Sequence, residues 1–484
     1  MKNRIIVVIQ LLIPVLLFGQ WNQYGQDLDG MSSGDEFGRD VCISKNGLTI
    51  AVGSAFSTNG YVKVYSDDGG VWNQIGNDLI GESSSDLFGD SISLSDDGNI
   101  IAIGATRGDG VITDSGSVSV YQNIGGTWIQ RGNKIEGDFA NDSFGYKVDL
   151  SNDGNVLAIG APSNNNNGTN AGMVKVYQWI SNSWVQLGNT LLGTDQNDRF
   201  GFSVRLNANG NIMAIGANQN GDGNGYVDIY EYLGGTWTLK GNRLVGAMFN
   251  DTYGNALDIN DSGSVVAIAA PKFDDPSGNL GCVKAYEFLG GVWNQIGSDL
   301  NGSSSNDFFG TSVSLNSDGT ILAASAPYPN ISYVKVFQNI ANSWVQIDSD
   351  ILAENPSDLF GVRLHLDGNG ASIIIGATGN DDNGVSSGHA RVFKNSTLSI
   401  EDNNFQDEIT MYPNPTFGIS NIILDKNHEA IELRVYNSLG NIIHQQGYSN
   451  TKSIPVDTTA FASGVYLLKI ISGKQHADIK LIKV

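Results

Sequence analysis

Cysteine, basic residues and long apolar runs are all scarce in this chain of 484 residues. Two cysteines, Cys42 and Cys282, cannot supply a disulfide framework or a Cys-rich zinc site. Lys and Arg number 27 against 50 Asp and Glu, a formal charge of -23. Such a surface excludes nucleic acid, whose phosphates need basic contacts, and disfavours simple adsorption to anionic membranes. Beyond the first 20 residues no stretch approaches the roughly 20 apolar residues of a membrane helix, so no transmembrane segment is expected in the mature chain. Only 5 histidines are present, which leaves little for His-based catalysis.

Glycine, by contrast, is abundant, at 61 residues, and much of it is periodic. A signature of Asp, any residue, Phe or Tyr, then Gly recurs with its glycine at Gly38, Gly89, Gly145, Gly201, Gly254, Gly310 and Gly361, at intervals of 51, 56, 56, 53, 56 and 51 residues. The segments 55–59, 106–115, 162–171, 218–224, 271–280 and 327–331, each between an "IGA"-like and a "GxVxVY"-like run, account for all of that variation, and the seventh is 378–387. Repeats of this length signal a propeller or array, with insertions gathered on one face.

Each repeat holds four short strands. In the third they are FGYKVDL (144–150), NVLAIGA (155–161), GMVKVY (172–177) and SWVQLG (183–188). SNDG-type turns join the first two, with Asn or Asp tolerating unusual angles and Gly supplying positive φ. The second strands are apolar on both parities, as Ile100 to Ile103, which suits burial between neighbouring sheets. The seventh repeat lacks its fourth strand, and Trp21, Gln23 and Gly25 match that pattern at the other end of the chain. The expected fold is all-β: a seven-bladed β-propeller over 21–394 with four-stranded blades, its last blade closed by the N-terminal strand, which removes exposed edges. The cysteines fall in blades one and five, too far apart for a bond that needs α-carbons within about 7 Å; two free, structural thiols are expected.

FGFSV (200–204) followed by MAIGA (213–217), FGYKV followed by LAIGAP, and the GxVxVY strands resemble FG-GAP repeats, the blades of integrin α-subunit propellers and many bacterial surface proteins. Family members that bind calcium carry an extended Asp-rich loop between the first two strands. Here that connection is a four-residue turn, with too few oxygens for a six- to eight-ligand ion, so no metal and no cofactor are expected.

Residues 1–20 have Lys2 and Arg4, then an apolar run from Ile5 to Phe18, then Gly19, the pattern of a secretory signal peptide cleaved after Gly19. A linker, 395–408, leads to a different pattern over 409–484: MYPNPTFG, LRVYNSLGNII, SIPVDTTAFASGVYLLKII and KLIKV. This tail resembles the type A C-terminal sorting domain of the bacterial type IX secretion system. The resemblance implies a small β-sandwich, the type IX machinery as partner, and a destination outside or on the outer surface of a Gram-negative bacterium after export to the periplasm.

The repeated acids Asp35, Asp86, Asp142, Asp198, Asp251, Asp307 and Asp358 invite a catalytic reading, but an active site needs one constellation and not seven copies; each is expected to accept backbone N–H groups in its turn. His365 and His389 stand where other repeats carry Ser, Asp or Tyr, and two histidines without further ligands are not a zinc signature. No nucleophile elbow, Cys–His pair or phosphate loop stands in a convincing context, so no catalytic residue is named. The long variable loops are rich in Asn, Asp, Ser and Gly, which supply adaptable hydrogen bonds. They offer Arg107, Asp109, Asn165, Asn167, Asp274, Asp275, Asp381 and Asp382 as ligand contacts; Trp179, out of register with the other tryptophans, is a sugar-contact candidate as an exposed aromatic, with loop packing the favoured reading. Arg107-Gly108-Asp109 also resembles the tripeptide integrins recognise. The resulting expectation is a non-enzymatic binding or adhesion propeller for a glycan or protein. The alternatives are an extracellular polysaccharide hydrolase or lyase, and a structural surface or matrix protein.

Overall fold

The computed structural model describes residues 21–219, 221–275, 278–328, 332–395, 398, 409–437, 442–472 and 475–484, and of residues 275, 425–429, 475, 476 and 478 only the backbone. The signal peptide assigned to 1–20 and nearly all of the 395–408 linker lie outside the described residues. Every described element is a β-strand, and among the described residues no helix is long and apolar enough to cross a membrane. The chain divides into two compact units, Met1–Leu398 and Ser399–Val484.

The first unit contains seven antiparallel sheets of one design, beside a small hairpin within the loop 271–280. In the third blade the strands are Lys147–Leu150, Val156–Ala161, Met173–Ile180 and Ser183–Gln186, and a further two-residue strand, Leu191–Leu192, pairs with the start of the third. That last segment is an addition to the four-strand expectation. The outer strand bends at a positive-φ glycine, Gly188 in this blade, and then rejoins the sheet. In the fifth blade the two pieces are one strand, Val292–Asn301, with a bulge.

Closure is carried by the backbone. Trp21–Gln23 and Leu28–Asp29 pair antiparallel with His389–Asn395, so the N-terminal segment supplies the whole outer strand of the seventh blade. At the turns between first and second strands, hydrogen bonds run N–H to O=C from Lys45 to Asp96, Asn152, Ala208, Asp261, Ser317, Gly368 and back to Lys45, at 2.9–3.2 Å. Seven turns thus form one unbroken circle of backbone bonds.

The glycine signature has a direct physical reason. Gly145 lies at φ +89°, and a Cβ placed on Gly104 of the preceding blade would stand 2.1 Å from the Gly145 carbonyl oxygen. The glycine of one blade's second strand therefore packs against the inner-strand glycine of the next, and a side chain at either would push the sheets apart. Apolar clusters fill each interface; Ile159, Leu157, Val148, Phe144 and Val118, all fully buried, form one of them.

Inner strands carry polar residues because each must satisfy its neighbour's edge. Ser91 and Ser93 accept the amides of Val148 and Leu150, Asp149 accepts that of Leu206, and Asp258 that of Leu315. His365 does the same work in the seventh blade, its Nδ1 accepting the Ile43 N–H at 3.3 Å. Cys42 and Cys282 are free and buried.

The second unit is a five-stranded antiparallel sheet built on Ile419–Tyr436 and Ile442–Asp457, which pair along most of their length with a register shift between Ile423 and His428. Ile409–Tyr412 pairs with one half of the longer strand and Gly464–Ser472 with the other. The sheet encloses a core that includes Ile422, Leu433, Val435, Ile454, Leu468 and Leu481.

Candidate functional site

Three regions of the propeller could receive a ligand: the central axis, the face bearing the variable loops, and the rim of the closing blade. The axis is obstructed. Arg205 lies 3.5 Å from Asp149 and 3.3 Å from Asp258, and Lys147 sits 2.9 Å from Asp40. Burial pushes Asp149 up to about 6, against the pull of Arg205, and burial pulls His365 down to about 4. Cavities of about 110 Å³ and about 50 Å³ lie along the axis, well below the roughly 300 Å³ of an ordinary ligand site. The larger is rimmed by the turn residues of the backbone circle, where Lys45 Nζ reaches Asp96 at 3.3 Å and also pairs with Asp261.

On the variable-loop face each repeated Asp anchors the link that enters its blade. Asp35 accepts the amides of Met31 and Ser32 and the Tyr61 hydroxyl, each near 3.0 Å. Asp307 accepts Ser303, Ser304 and Tyr333 in the same way, and Asp198 accepts Thr194, Asp195 and Tyr226. Met248 donates to Asp251, Asn355 to Asp358, Ser83 to Asp86 and Phe139 to Asp142. All seven are buried. Burial raises Asp86, Asp142, Asp251 and Asp358; at Asp198 burial is outweighed by bonds from Tyr226 and Gln219, and the carboxyl is held low.

The loop residues singled out from the sequence are spread over blades two, three, five and seven. Asp109, Asn165 and Asp381 occupy the same position in their loops, and each uses Oδ1 to accept an amide five residues on, from Asp114, Asn170 and Ser386, at 2.8 Å. Asn167 donates to the Gly193 carbonyl at 2.7 Å. Arg107 and Asp274 are exposed, and Asp275 contributes a backbone pair to Gly278. Gly108 is buried within its turn.

Trp179 packs within its blade. It is half-buried in the third strand, 5.3 Å from Trp184 between ring centroids and 4.7 Å from the Arg131 guanidinium carbon. Its amide bonds to Asn155 beside the first turn, on the face opposite the variable loops. The third strand runs three residues past Tyr177, which brings Trp179 into register with Trp184. Tyr232–Trp237 and Phe288–Trp293 repeat the pair in blades four and five.

An opening on the variable-loop face stands over a short loop. Met31, Ser32, Phe56, Thr58, Asn59, Tyr61, Asp78 and Ile80 line a cleft of about 570 Å³ in the first blade. Its floor exposes apolar surface: Met31 at 54%, Phe56 at 47% and Ile80 at 60%. Arg39 lies 5.1 Å over the Phe56 ring. Loop length in the sequence, here the five residues 55–59 beside a ten-residue loop in the next blade, is the signal that marks it.

At the closing rim, Asp27, Glu354, Asp382 and His389 place one donor atom each within 4.8 Å of one another, the one such group of metal-capable donors among the described residues. Asp27 precedes Leu28–Asp29, Glu354 lies on the link into the seventh blade, Asp382 on its variable loop, and His389 at the start of its third strand, opposite Asp29. Burial, and then Arg391, lowers the His389 imidazole to about 4, while burial and the neighbouring Asp27 raise Asp29.

Comparison with known proteins fits both units. Residues 410–484 match the secretion system C-terminal sorting domain, and residues 138–177 match an FG-GAP repeat. No curated protein matches the chain. Among solved structures, the WD40 domain of Toxoplasma gondii coronin is similar at 11% identity over 78% of this chain and 87% of its own, with a TM-score of 0.50. Kuenenia stuttgartiensis hydrazine synthase is similar at 13% identity over 73% and 94%, also at 0.50. The periplasmic gluconolactonase of Pseudomonas aeruginosa follows at 14%, 66% and 85%, with 0.45. Likeness at these identities concerns the fold alone. The chain is thus a propeller with an FG-GAP repeat, followed by the sorting domain that directs type IX secretion to the surface or exterior of Gram-negative bacteria.

Proposed function

We propose that this secreted propeller is a binding module for a glycan, taken up on the variable-loop face in the cleft of Met31, Phe56, Asn59, Asp78 and Ile80. The observation that carries the reading is the composition of that cleft: an exposed aromatic and aliphatic floor edged by amide, hydroxyl and carboxylate groups. A sugar ring has the same division, with C–H faces that pack on apolar side chains and hydroxyls that need donors and acceptors around the edge. An obstructed axis argues in the same direction, because it leaves the loop face as the open surface of adequate size.

The test is a glycan array probed with the purified protein, with Phe56→Ala, and with a variant whose loops 106–115, 162–171, 271–280 and 378–387 are cut to five residues. Selective binding weakened about tenfold by Phe56→Ala, the equivalent of ~1.4 kcal/mol, supports the cleft. Binding that survives Phe56→Ala but vanishes on loop shortening moves the site to the long loops. Failure of the intact protein to bind any glycan overturns the reading in favour of a protein partner, and release of reducing ends from a polymer would make the protein an enzyme.

A further inference from the structure

Three carboxylates crowding one imidazole at the seam of a ring is an unusual thing to find in a chain with few histidines. In blades one, four and six the residue equivalent to His389 is Tyr61, Tyr226 or Tyr333, whose hydroxyl bonds to the turn aspartate of its blade. His389 makes no such bond. It is 0% exposed, and neither Nδ1 nor Nε2 has a hydrogen-bond partner. Twelve buried side-chain polar atoms among the described residues lack a partner, and five of them belong to His389, Asp29 and Arg391 at this one spot. Each such group costs about 1–3 kcal/mol when nothing satisfies it; the Arg391 atoms are donors that no cation can satisfy, so it is the unpartnered imidazole of His389 that calls for one.

The chemistry of the donors selects the ligand. Asp27, Asp29, Glu354 and Asp382 face a single arginine, Arg391, whose NH1 lies 2.7 Å from Glu354 Oε1. The excess negative charge favours a cation. A neutral imidazole among carboxylates favours a transition metal over calcium, which takes six to eight oxygens and no nitrogen. His389 Nδ1 is turned toward Asp382, 4.0 Å from its Oδ2. Bonds of about 2.0–2.2 Å around a tetrahedral ion set its donors roughly 3.4 Å apart, so the present spread of at most 4.8 Å needs only a small contraction. Glu354 and Asp382 are exposed side chains and can make it by rotation. Glu354 could keep Arg391 on Oε1 and offer its other oxygen, the usual outer-shell arrangement of a metal-binding carboxylate.

We propose that Asp27, Glu354, Asp382 and His389 form a zinc site that fastens the N-terminal strand to the seventh blade. The four ligands come from the N-terminal segment, the link out of the sixth blade, and the loop and third strand of the seventh. The ion therefore clamps the one place where the ring is closed by two distant parts of the chain. This assignment is independent of where a glycan binds.

The test is zinc titration of the full-length, untagged protein by calorimetry and equilibrium dialysis, beside Asp382→Asn, Glu354→Gln and His389→Ala. One zinc per chain is expected, with affinity reduced at least tenfold by Asp382→Asn and Glu354→Gln and lost in His389→Ala. Zinc should also raise the melting temperature of the propeller, and that shift should vanish in the same variants. Should His389→Ala fail to fold, the exposed Asp382→Asn and Glu354→Gln decide the matter, together with cobalt substitution, whose visible spectrum reports four-coordination by nitrogen and oxygen. Undiminished zinc binding in the Asp382 and Glu354 variants, absence of zinc binding by the intact protein, or equal binding of calcium would each overturn the proposal.

Discussion

Replacing Trp21 with alanine tests whether the N-terminal strand is a structural member of the ring. Trp21 is 7% exposed and packs with Phe360, Ile373 and Phe393 in the seventh-blade cluster; its counterpart in the first blade, Trp72, is 3% exposed and packs with Tyr65 and Val392. Loss of a buried indole costs about 3–5 kcal/mol. Trp72 also donates its Nε1–H to the Tyr24 carbonyl at 3.1 Å, whereas Trp21 Nε1 has no partner, so Trp72→Ala should cost about 1 kcal/mol more. At ~2.1 cal/mol/K per residue the propeller loses about 1.3 °C per kcal/mol. Differential scanning calorimetry should therefore show drops of about 4–6 °C for Trp21→Ala and about 5–8 °C for Trp72→Ala. A drop below 1 °C for Trp21→Ala, with Trp72→Ala behaving as stated, would refute closure by the N-terminal strand.

Two further outcomes are expected. Burial raises Asp149 to about 6 in the folded protein, while the unfolded residue titrates near 4; the native state therefore holds the extra proton, and stability falls as pH rises between those values, by about 3 kcal/mol. Urea midpoints should show that fall in the wild type and a flatter profile in Asp149→Asn, and parallel profiles would contradict it. Deleting 410–484 should leave the propeller in the periplasm, which fractionation and immunoblotting would detect; normal amounts at the cell surface would contradict the role of the tail.

The fold was legible because its repeats record contacts between blades. The two glycines meet backbone to backbone at five of the seven interfaces, with Ala269 and Ser325 at the other two, the seven aspartates hold their links, and a tryptophan marks every outer strand, so each leaves a recurring trace. The short outer segment was missed although its signal is equally regular: Leu28, Leu79, Ile135, Leu191, Leu244, Leu300 and Ile351 each follow a tryptophan by seven residues. Two-residue strands have no alternation to detect. Three of the loop residues carry a regularity of the same kind. Asp109, Asn165 and Asp381 recur at one loop position, and the repetition that marks the seven turn aspartates as structural applies to them too. Asp27 and Glu354 could not be found from local pattern, because ring closure alone brings residues 27 and 354 to one histidine.

The seventh blade's third strand starts at the variable loop and ends at Asn395, whose amide bonds to Ala371 beside the turn on the far side. Trp21 pairs with that same residue. Entry and exit of the propeller chain thus share one rim, away from the loops. A segment leaving at Asn395, or a reporter fused ahead of Trp21, starts from the side of the propeller opposite its variable loops.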